Sequence, residues 1–153
     1  MPRKLVGAII FGDLKNERTN NIDFVLEDQL KFEGETGPYV QYSHARAESI
    51  LRKASAVDFH TTDKEVDDPA AWETVTALNE FPSVVESACK DFEPSEIAKY
   101  SLKLAKAFNK YYAHSKVLVE DDKLGARLAL VKSVSIVLKE SLNLLGVKAP
   151  DEM

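Results

Sequence analysis

The sequence predicts a mainly α-helical fold, an antiparallel α-helical bundle, from residue 37 onward. Apolar residues recur at helical spacing over two long stretches in the C-terminal part of the chain. Pro38, Pro69 and Pro94 stand where helices are expected to begin, because the missing N–H of proline costs nothing in a first helical turn. Short connections between helices favour antiparallel neighbours, so these signals together indicate a bundle.

Length and composition indicate one compact domain. The chain has 153 residues, of which 44% are apolar, and that is enough for a sizeable core. No apolar run approaches the length that crosses a bilayer, and the first residues lack the pattern of a signal peptide. The single cysteine, Cys89, excludes an intramolecular disulfide, and its helical surroundings predict a core position. We expect a cytoplasmic protein with no membrane partner.

The first 36 residues differ in pattern from the predicted bundle. Residues 6–14 are apolar, and their pattern does not decide which type of secondary structure they form. Residues 22–26 alternate between apolar and polar, as residues of a strand do. Gly34 and Gly37 then mark a turn. We therefore divide the chain into a short N-terminal extension, residues 1–36, and a helical bundle, residues 37–153.

The first helix of the bundle is expected to run from Pro38 to about Ala54. One of its sides is both aromatic and basic, with Tyr39, Tyr42, Arg46, Ser49 and Lys53 at spacings of three and four residues. Rings that stack on splayed bases, together with cations that hold phosphates, are typical of RNA recognition. Spacing alone also allows the tyrosines to be core residues with hydrogen-bonded hydroxyls.

The middle of the chain predicts an exposed connection and two shorter helices. Residues 55–67 are polar and acidic, and Asp68 is a suitable N-cap for a helix that begins at Pro69. That helix must end or kink near Pro82, because proline removes a backbone donor inside a helix. A further helical piece is expected over residues 82–90.

Two long helices are predicted to close the bundle. The first opens at residues 93–96, and its apolar stripe comprises Ile97, Leu104, Phe108, Tyr111 and Tyr112. Its opposite side carries Lys99, Lys103, Lys106 and Lys110, which we interpret as a solvated face and not as an RNA site. The second, about residues 123–145, is apolar on most sides, so it should be the most buried helix and should end at Gly146.

The residues give little support for catalysis or for a metal. The sequence has no nucleophile elbow, no phosphate-binding loop and no paired histidines at metal spacing. His60 lies near several aspartates in the polar connection, but such a segment is typically solvated, so we expect no metal site. The net charge of −5 also argues against indiscriminate nucleic-acid binding.

Several motifs resemble the arginyl-tRNA synthetase family. The segment FEGETGPYVQYSHAR at residues 32–46 is similar to the passage from the catalytic domain of that family into its anticodon-binding bundle. KAFNKYY at residues 106–112 resembles the penultimate helix of the family. ARLALVKSV at 126–134 and LNLLGVKAPDEM at 142–153 resemble its closing helix and its terminal methionine. Residues 6–14 and 20–24 resemble the end of the catalytic α/β domain.

The resemblance implies a function as well as a fold. It implies that Tyr39, Tyr42, Tyr112 and Met153 contact the anticodon of an arginine tRNA, with Arg46 and Lys53 as possible contacts to the RNA backbone. Phe108 and Tyr111 compete with Tyr112 for the aromatic position. Acidic residues precede Met153, at 151 and 152, where a basic residue is common in the family.

The resemblance also implies a longer parent enzyme. That enzyme would join arginine to its tRNA with ATP and magnesium, would contact this domain through the catalytic domain of the same chain, and would be monomeric. The nucleotide-binding signatures of the family are absent from these 153 residues, so the chain alone should bind no cofactor and catalyse nothing. A free-standing tRNA-binding module and a helical protein-interaction scaffold remain as alternatives.

Overall fold

A computed structural model describes residues 2–55, 66 and 68–153, with the side chains of residues 2–4 left out. Its helices are α1 (Pro2–Leu14), α2 (Leu26–Gln29), α3 (Gly37–Lys53), α4 (Pro69–Asn79), α5 (Phe81–Asp91), α6 (Ser95–His114) and α7 (Leu124–Leu144). The described ranges contain no strand, which confirms the mainly helical fold class.

The strand-like alternation near the N-terminus is a wrong prediction. Residues 21–25 are irregular, and Leu26 begins the short helix α2. Ile22, Phe24 and Val25 are all more than a third exposed. Alternation stabilises a strand only where a neighbouring strand pairs with it and one face is buried, and the described part of the chain supplies neither.

The predicted helix starts are confirmed within one residue. Thr36 caps α3, because its Oγ1 accepts a hydrogen bond from the Tyr39 backbone N–H at 3.2 Å and donates one to the Lys31 carbonyl at 2.6 Å. The Asp68 carboxylate likewise accepts the Ala70 N–H at 2.7 Å and caps α4. Each cap satisfies a backbone donor that has no partner inside its helix.

Helix ends also follow the local chemistry. The break expected near Pro82 lies between Asn79 and Phe81, so Pro82 occupies the first turn of α5. Gly146 follows α7 with a φ of +72°, the left-handed conformation that glycine adopts without a steric cost.

The core lies among α3, α4, α6 and α7. Helix α7 packs chiefly on α3 and α6, and α4 packs on α6. The buried apolar side chains of α7 are Ala126, Leu128, Leu130, Val131, Val134, Leu138 and Leu142. Ile136 and Leu144 are at least half exposed, so α7 is buried along a broad stripe and not on all sides.

Helix α1 is attached to this core through α3. Phe11 is fully buried within the same apolar cluster as the bundle helices. The backbones approach so closely that a Cβ on Gly37 would lie 2.8 Å from the Cβ of Phe11, which explains why position 37 has no side chain.

Two further expectations concern single features. Cys89 is exposed on α5, so the predicted core position is wrong; the neighbouring Ala88 occupies the buried position instead. Within the described residues, no helix is both long and apolar enough to cross a bilayer.

Candidate nucleic-acid interface

A cleft of about 400 Å³ opens between α3, the C-terminal end of α6 and the segment that follows α7. We call it the first cleft. Its lining includes five of the six residues that the sequence singled out: Tyr42, Arg46, Lys53, Tyr112 and Met153. Three of them lie on α3, Tyr112 lies on α6 and Met153 lies after α7, so the packing of the helices brings three distant parts of the chain together.

One wall of the first cleft is the aromatic and basic side of helix α3. Val40 and Ala47 are fully buried on the other side of the helix, and this fixes its rotation about its axis. Tyr42 therefore points outward and remains 39% exposed, with Arg46 one turn further along the helix. Phe32 meets the edge of the Tyr42 ring, with a centroid separation of 6.3 Å.

Arg46 lies close to two tyrosine rings. Its guanidinium carbon is 4.8 Å from the centroid of Tyr42 and 5.0 Å from that of Tyr112. Nη1 donates to Oδ1 of Asn109 at 2.5 Å, and the Asn109 amide donates to Ser43 Oγ at 2.8 Å. Among the described residues no carboxylate lies within ion-pair distance of Arg46, so neutral groups alone hold its charge.

The three aromatic residues of α6 that could contact the anticodon differ in their exposure to solvent. Phe108 and Tyr111 are fully buried, whereas Tyr112 is 43% exposed and lines the first cleft. Burial raises the pKa of the Tyr111 hydroxyl to about 12. The expectation that Tyr112 belongs to the apolar stripe is therefore wrong, because its Cα falls at the edge of that stripe and its ring leaves the core.

Buried polar side chains of α3 hold the segment after α7 in place. Gln41 Nε2 donates to the Lys148 carbonyl at 2.7 Å, and His44 Nδ1 lies 3.0 Å from the Pro150 carbonyl oxygen. Arg52 adds a hydrogen bond to the Asp151 carbonyl at 3.0 Å and an ion pair with Glu152 at 3.6 Å. A carbonyl can only accept, so Nδ1 of His44 carries a proton.

These contacts determine where Met153 lies. The segment of residues 147–153, which we call the tail, runs along α3 and brings Met153 into the lining of the first cleft, where it is about one third exposed. A flexible thioether at this point offers an adaptable apolar contact.

Tyr39 is the one candidate that the first cleft does not include. It is partly buried, packs against the apolar core and is absent from the cleft lining. Its position in the first turn of α3, one turn before Tyr42, accounts for the separation.

The match to known proteins agrees with this arrangement. Residues 40–153 match the family model described as the DALR anticodon binding domain. The chain belongs to the DALR anticodon-binding domain family. The sequence motifs indicated a resemblance to arginyl-tRNA synthetases, and this match confirms it.

Relatives of this DALR domain include complete synthetases. The chain is 73% identical over 148 residues to an arginine–tRNA ligase of Levilactobacillus brevis and 68% identical to one of Pediococcus pentosaceus, in each case over 97% of this chain and 26% of the relative. A solved arginyl-tRNA synthetase of Thermus thermophilus superposes with a TM-score of 0.91 at 38% identity, over 99% of this chain and 27% of that one. The chain thus spans about a quarter of the length of these relatives.

The lysine stripe of the DALR domain is paired with acids. Four ion pairs join α6 to other elements, with N–O distances of 2.6 to 3.3 Å: Lys99–Glu17, Lys103–Glu80, Lys106–Glu35 and Lys110–Glu73. The ammonium of Lys106 lowers the pKa of the Glu35 carboxyl by hydrogen bonding and by its charge. This pairing fits the interpretation of the stripe as a solvated face, because a glutamate beside each lysine offsets the positive charge that would attract a phosphate.

Sequence analysis missed several residues that shape the interface. Gln41 and His44 are nearly inaccessible to solvent. Their spacing on α3 places them toward the core, and a polar side chain at such a position could have indicated that it has a buried hydrogen-bond partner. Asn109, which orients Arg46, gave no such signal, because its role depends on a partner 63 residues away.

No metal centre was found in the parts of the chain that the structure describes. Their His, Cys, Asp and Glu residues form no group of three or more that could hold an ion. His60 and its neighbouring acids, apart from Asp68, lie outside the described residues. Asp68 is engaged as the cap of α4 and accepts a hydrogen bond from Ser115, which lowers the pKa of its carboxyl.

Proposed function

We propose that this chain binds the anticodon of an arginine tRNA, as the anticodon-binding part of an arginine–tRNA ligase. The observation that carries the proposal is the pair of tyrosine rings, Tyr42 and Tyr112, both close to the guanidinium of Arg46 in an open cleft of a DALR domain. Rings with accessible faces bind unstacked bases, and an arginine beside them can stack on a base or contact a phosphate.

Each residue of the first cleft has a distinct role in this proposal. Tyr42 and Tyr112 stack on anticodon bases, and Met153 gives a base an apolar contact. Arg46 and Lys53 contact the RNA backbone, since Lys53 is exposed at the rim of the cleft. Tyr39 contributes from outside the cleft, through the part of its ring that the core does not cover.

The parent protein in this proposal is a complete synthetase. The relatives described above are about four times as long as this chain, and they are arginine–tRNA ligases. In that protein residues 1–36 would end the catalytic domain and residues 37–153 would form the anticodon-binding bundle. The enzyme would act as a monomer in the cytoplasm and would use ATP and magnesium to attach arginine to its tRNA.

Exposed apolar residues near the N-terminus support a contact with the rest of the synthetase. Leu5, Val6 and Ile9 on α1 and Phe24 in the following segment are each 39% to 54% exposed. Apolar side chains gathered in one segment are typical of a surface that another domain covers. The proposed partner is the catalytic domain of the same chain.

The test compares tRNA binding by the wild-type chain with binding by Tyr42→Ala and Met153→Ala. Stacking on an aromatic ring contributes roughly 1 to 3 kcal/mol per base, so Tyr42→Ala should weaken binding by about one to two decades. A tRNA with an altered anticodon should bind the wild type more weakly and should respond less to the substitution. Thermal melts provide the control: losses of affinity that only follow unfolding would contradict the proposal.

A further inference from the structure

A second cleft, of about 540 Å³, adjoins the first cleft. Ile50, Lys53 and Tyr112 line both clefts, so the two meet at these side chains. The other wall of the second cleft is the connection between α6 and α7, residues 115–119. The roles proposed for the first cleft do not involve this connection.

A buried arginine fixes the shape of that connection. Arg127 on α7 is 8% exposed, and its Nε donates to the Val117 carbonyl at 2.9 Å while Nη2 donates to the Val119 carbonyl at 2.6 Å. The same guanidinium holds both carboxylate oxygens of Asp121, at 2.7 and 3.2 Å. A loop with its carbonyls bound in this way presents its side chains in a preformed arrangement, which lowers the entropic cost of binding.

The side chains presented by this loop are apolar and basic. Leu118 is 44% exposed and Val119 is 39% exposed, although both are large apolar residues. Lys53 and Lys116 are exposed, and neither forms an ion pair with an acidic residue in the described ranges. In this respect Lys53 and Lys116 differ from the four lysines of α6, each of which forms an ion pair with a glutamate.

We propose that the second cleft binds the nucleotide adjacent in the anticodon loop to the one held in the first cleft. Its base would lie on Leu118 and Val119, and Lys53 and Lys116 would bind the phosphates on either side of it. Continuity favours this occupant, because a strand leaving the first cleft past Tyr112 enters the second directly. The proposal rests on the proposed function, since it requires RNA in the first cleft.

The charge of Lys116 gives the first readout. We expect Lys116→Gln to reduce the slope of log Kd against log salt by about 0.7, the value for one phosphate contact on a single strand, and to weaken binding by about fivefold at 0.1 M salt. The matched control is Lys139→Gln, an exposed lysine on α7 outside both clefts, which should leave the slope unchanged. The probe is an unmodified transcript of an arginine tRNA, and the protein is the full chain.

Abasic substitutions in the loop of the transcript give the second readout. If Leu118 contacts a base, Leu118→Ala should weaken binding to the intact transcript but should have no further effect once that base is removed. Tyr42→Ala should show the same coupling at the neighbouring loop position.

The outcomes separate the two proposals. If Tyr42→Ala weakens binding while Lys116→Gln matches the Lys139→Gln control and Leu118→Ala couples to no loop position, the second cleft does not bind a nucleotide. If Tyr42→Ala also has no effect on binding, the anticodon-binding function itself is wrong.

Discussion

Arg46 contributes to the first cleft through its shape as well as through its charge. A planar guanidinium can stack on aromatic rings, and that of Arg46 lies about 5 Å from the ring centroids of both Tyr42 and Tyr112. Asn109 then fixes its rotation through Nη1. A lysine at this position would keep the positive charge but would lose the planar contact with both rings.

We therefore expect Arg46→Lys to weaken tRNA binding while the salt dependence stays close to that of the wild type. Contacts of a cation with an aromatic face contribute about 0.5 to 2 kcal/mol, so the loss should be roughly twofold to thirtyfold. The measurement is a set of binding isotherms at several salt concentrations. Unchanged affinity and an unchanged slope for Arg46→Lys would mean that Arg46 acts only through its charge.

Buried leucines of α7 should act on stability and not on RNA binding. Leu128 and Leu138 are fully buried, and replacing either by alanine should cost about 2 to 5 kcal/mol of the free energy of unfolding. Denaturant melts measure this loss, and Leu144→Ala, at a half-exposed position of the same helix, is the matched control. Equal melting midpoints for all three variants would show that the stripe is not the centre of the core.

At the scale of whole elements, the tail depends on α3 for its position. Gln41 and His44 are buried and hydrogen-bond two carbonyls of the tail, yet neither residue lines the first cleft. In the proposed function they are positioning residues, because they hold the tail that carries Met153. Losing such a bond removes a side-chain donor from a carbonyl of the tail.

The coupling between Gln41 and Met153 can be measured with a double-mutant cycle. We expect Met153→Ala to weaken tRNA binding in the wild type but to have little effect in a Gln41→Leu background, because the tail is then no longer held in place. Gln41→Leu should also lower stability by about 1 to 3 kcal/mol. Additive effects of the two substitutions on affinity would contradict a positioning role.

The connection between α6 and α7 should respond to acid through Asp121. Its hydrogen bond with Arg127 lowers the pKa of the Asp121 carboxyl from the ordinary value of 3.8. A carboxyl with a lowered pKa in the folded state stabilises the fold above the ordinary value, and this contribution is lost as the pH falls below it.

Melts between pH 5 and pH 2 test this contribution. The loss of stability on acidification should be smaller for Asp121→Asn than for the wild type, because the variant has no such carboxylate to protonate. Asp122→Asn is the control, since Asp122 is exposed and is not among the acceptors recorded for Arg127. Parallel acid profiles for the wild type and Asp121→Asn would show that the ion pair does not stabilise the fold.

At the scale of the whole molecule, this chain should bind tRNA without catalysing its aminoacylation. These 153 residues contain no phosphate-binding loop and none of the nucleotide-binding signatures of the synthetase family. We expect no arginine-dependent exchange of pyrophosphate into ATP, and the positive control is a full-length arginine–tRNA ligase. Exchange activity in the purified chain would overturn this expectation.

The elements of the bundle could be predicted because their signals are local. Helix starts depend on groups within a few residues: Thr36 and Asp68 cap backbone N–H groups, and a proline stands in the first turn of three helices. Gly146 ends α7 through its own φ angle. Strand-like alternation at residues 22–26 failed because a strand needs a partner, which no local pattern supplies. The expectation for Cys89 failed because it rested on the usual burial of cysteine, whereas on α5 the neighbouring Ala88 occupies the buried position.

The sequence by itself determined the family, the helical elements and the residue types available for binding RNA. Tertiary structure decided which of those residues meet. It placed Tyr112 in the cleft and Tyr111 in the core, excluded Tyr39 from the cleft, and paired the α6 lysines with acids. The physical reason is that a helix start depends on groups a few residues apart, whereas a cleft depends on how whole helices pack, over separations of 60 to more than 100 residues.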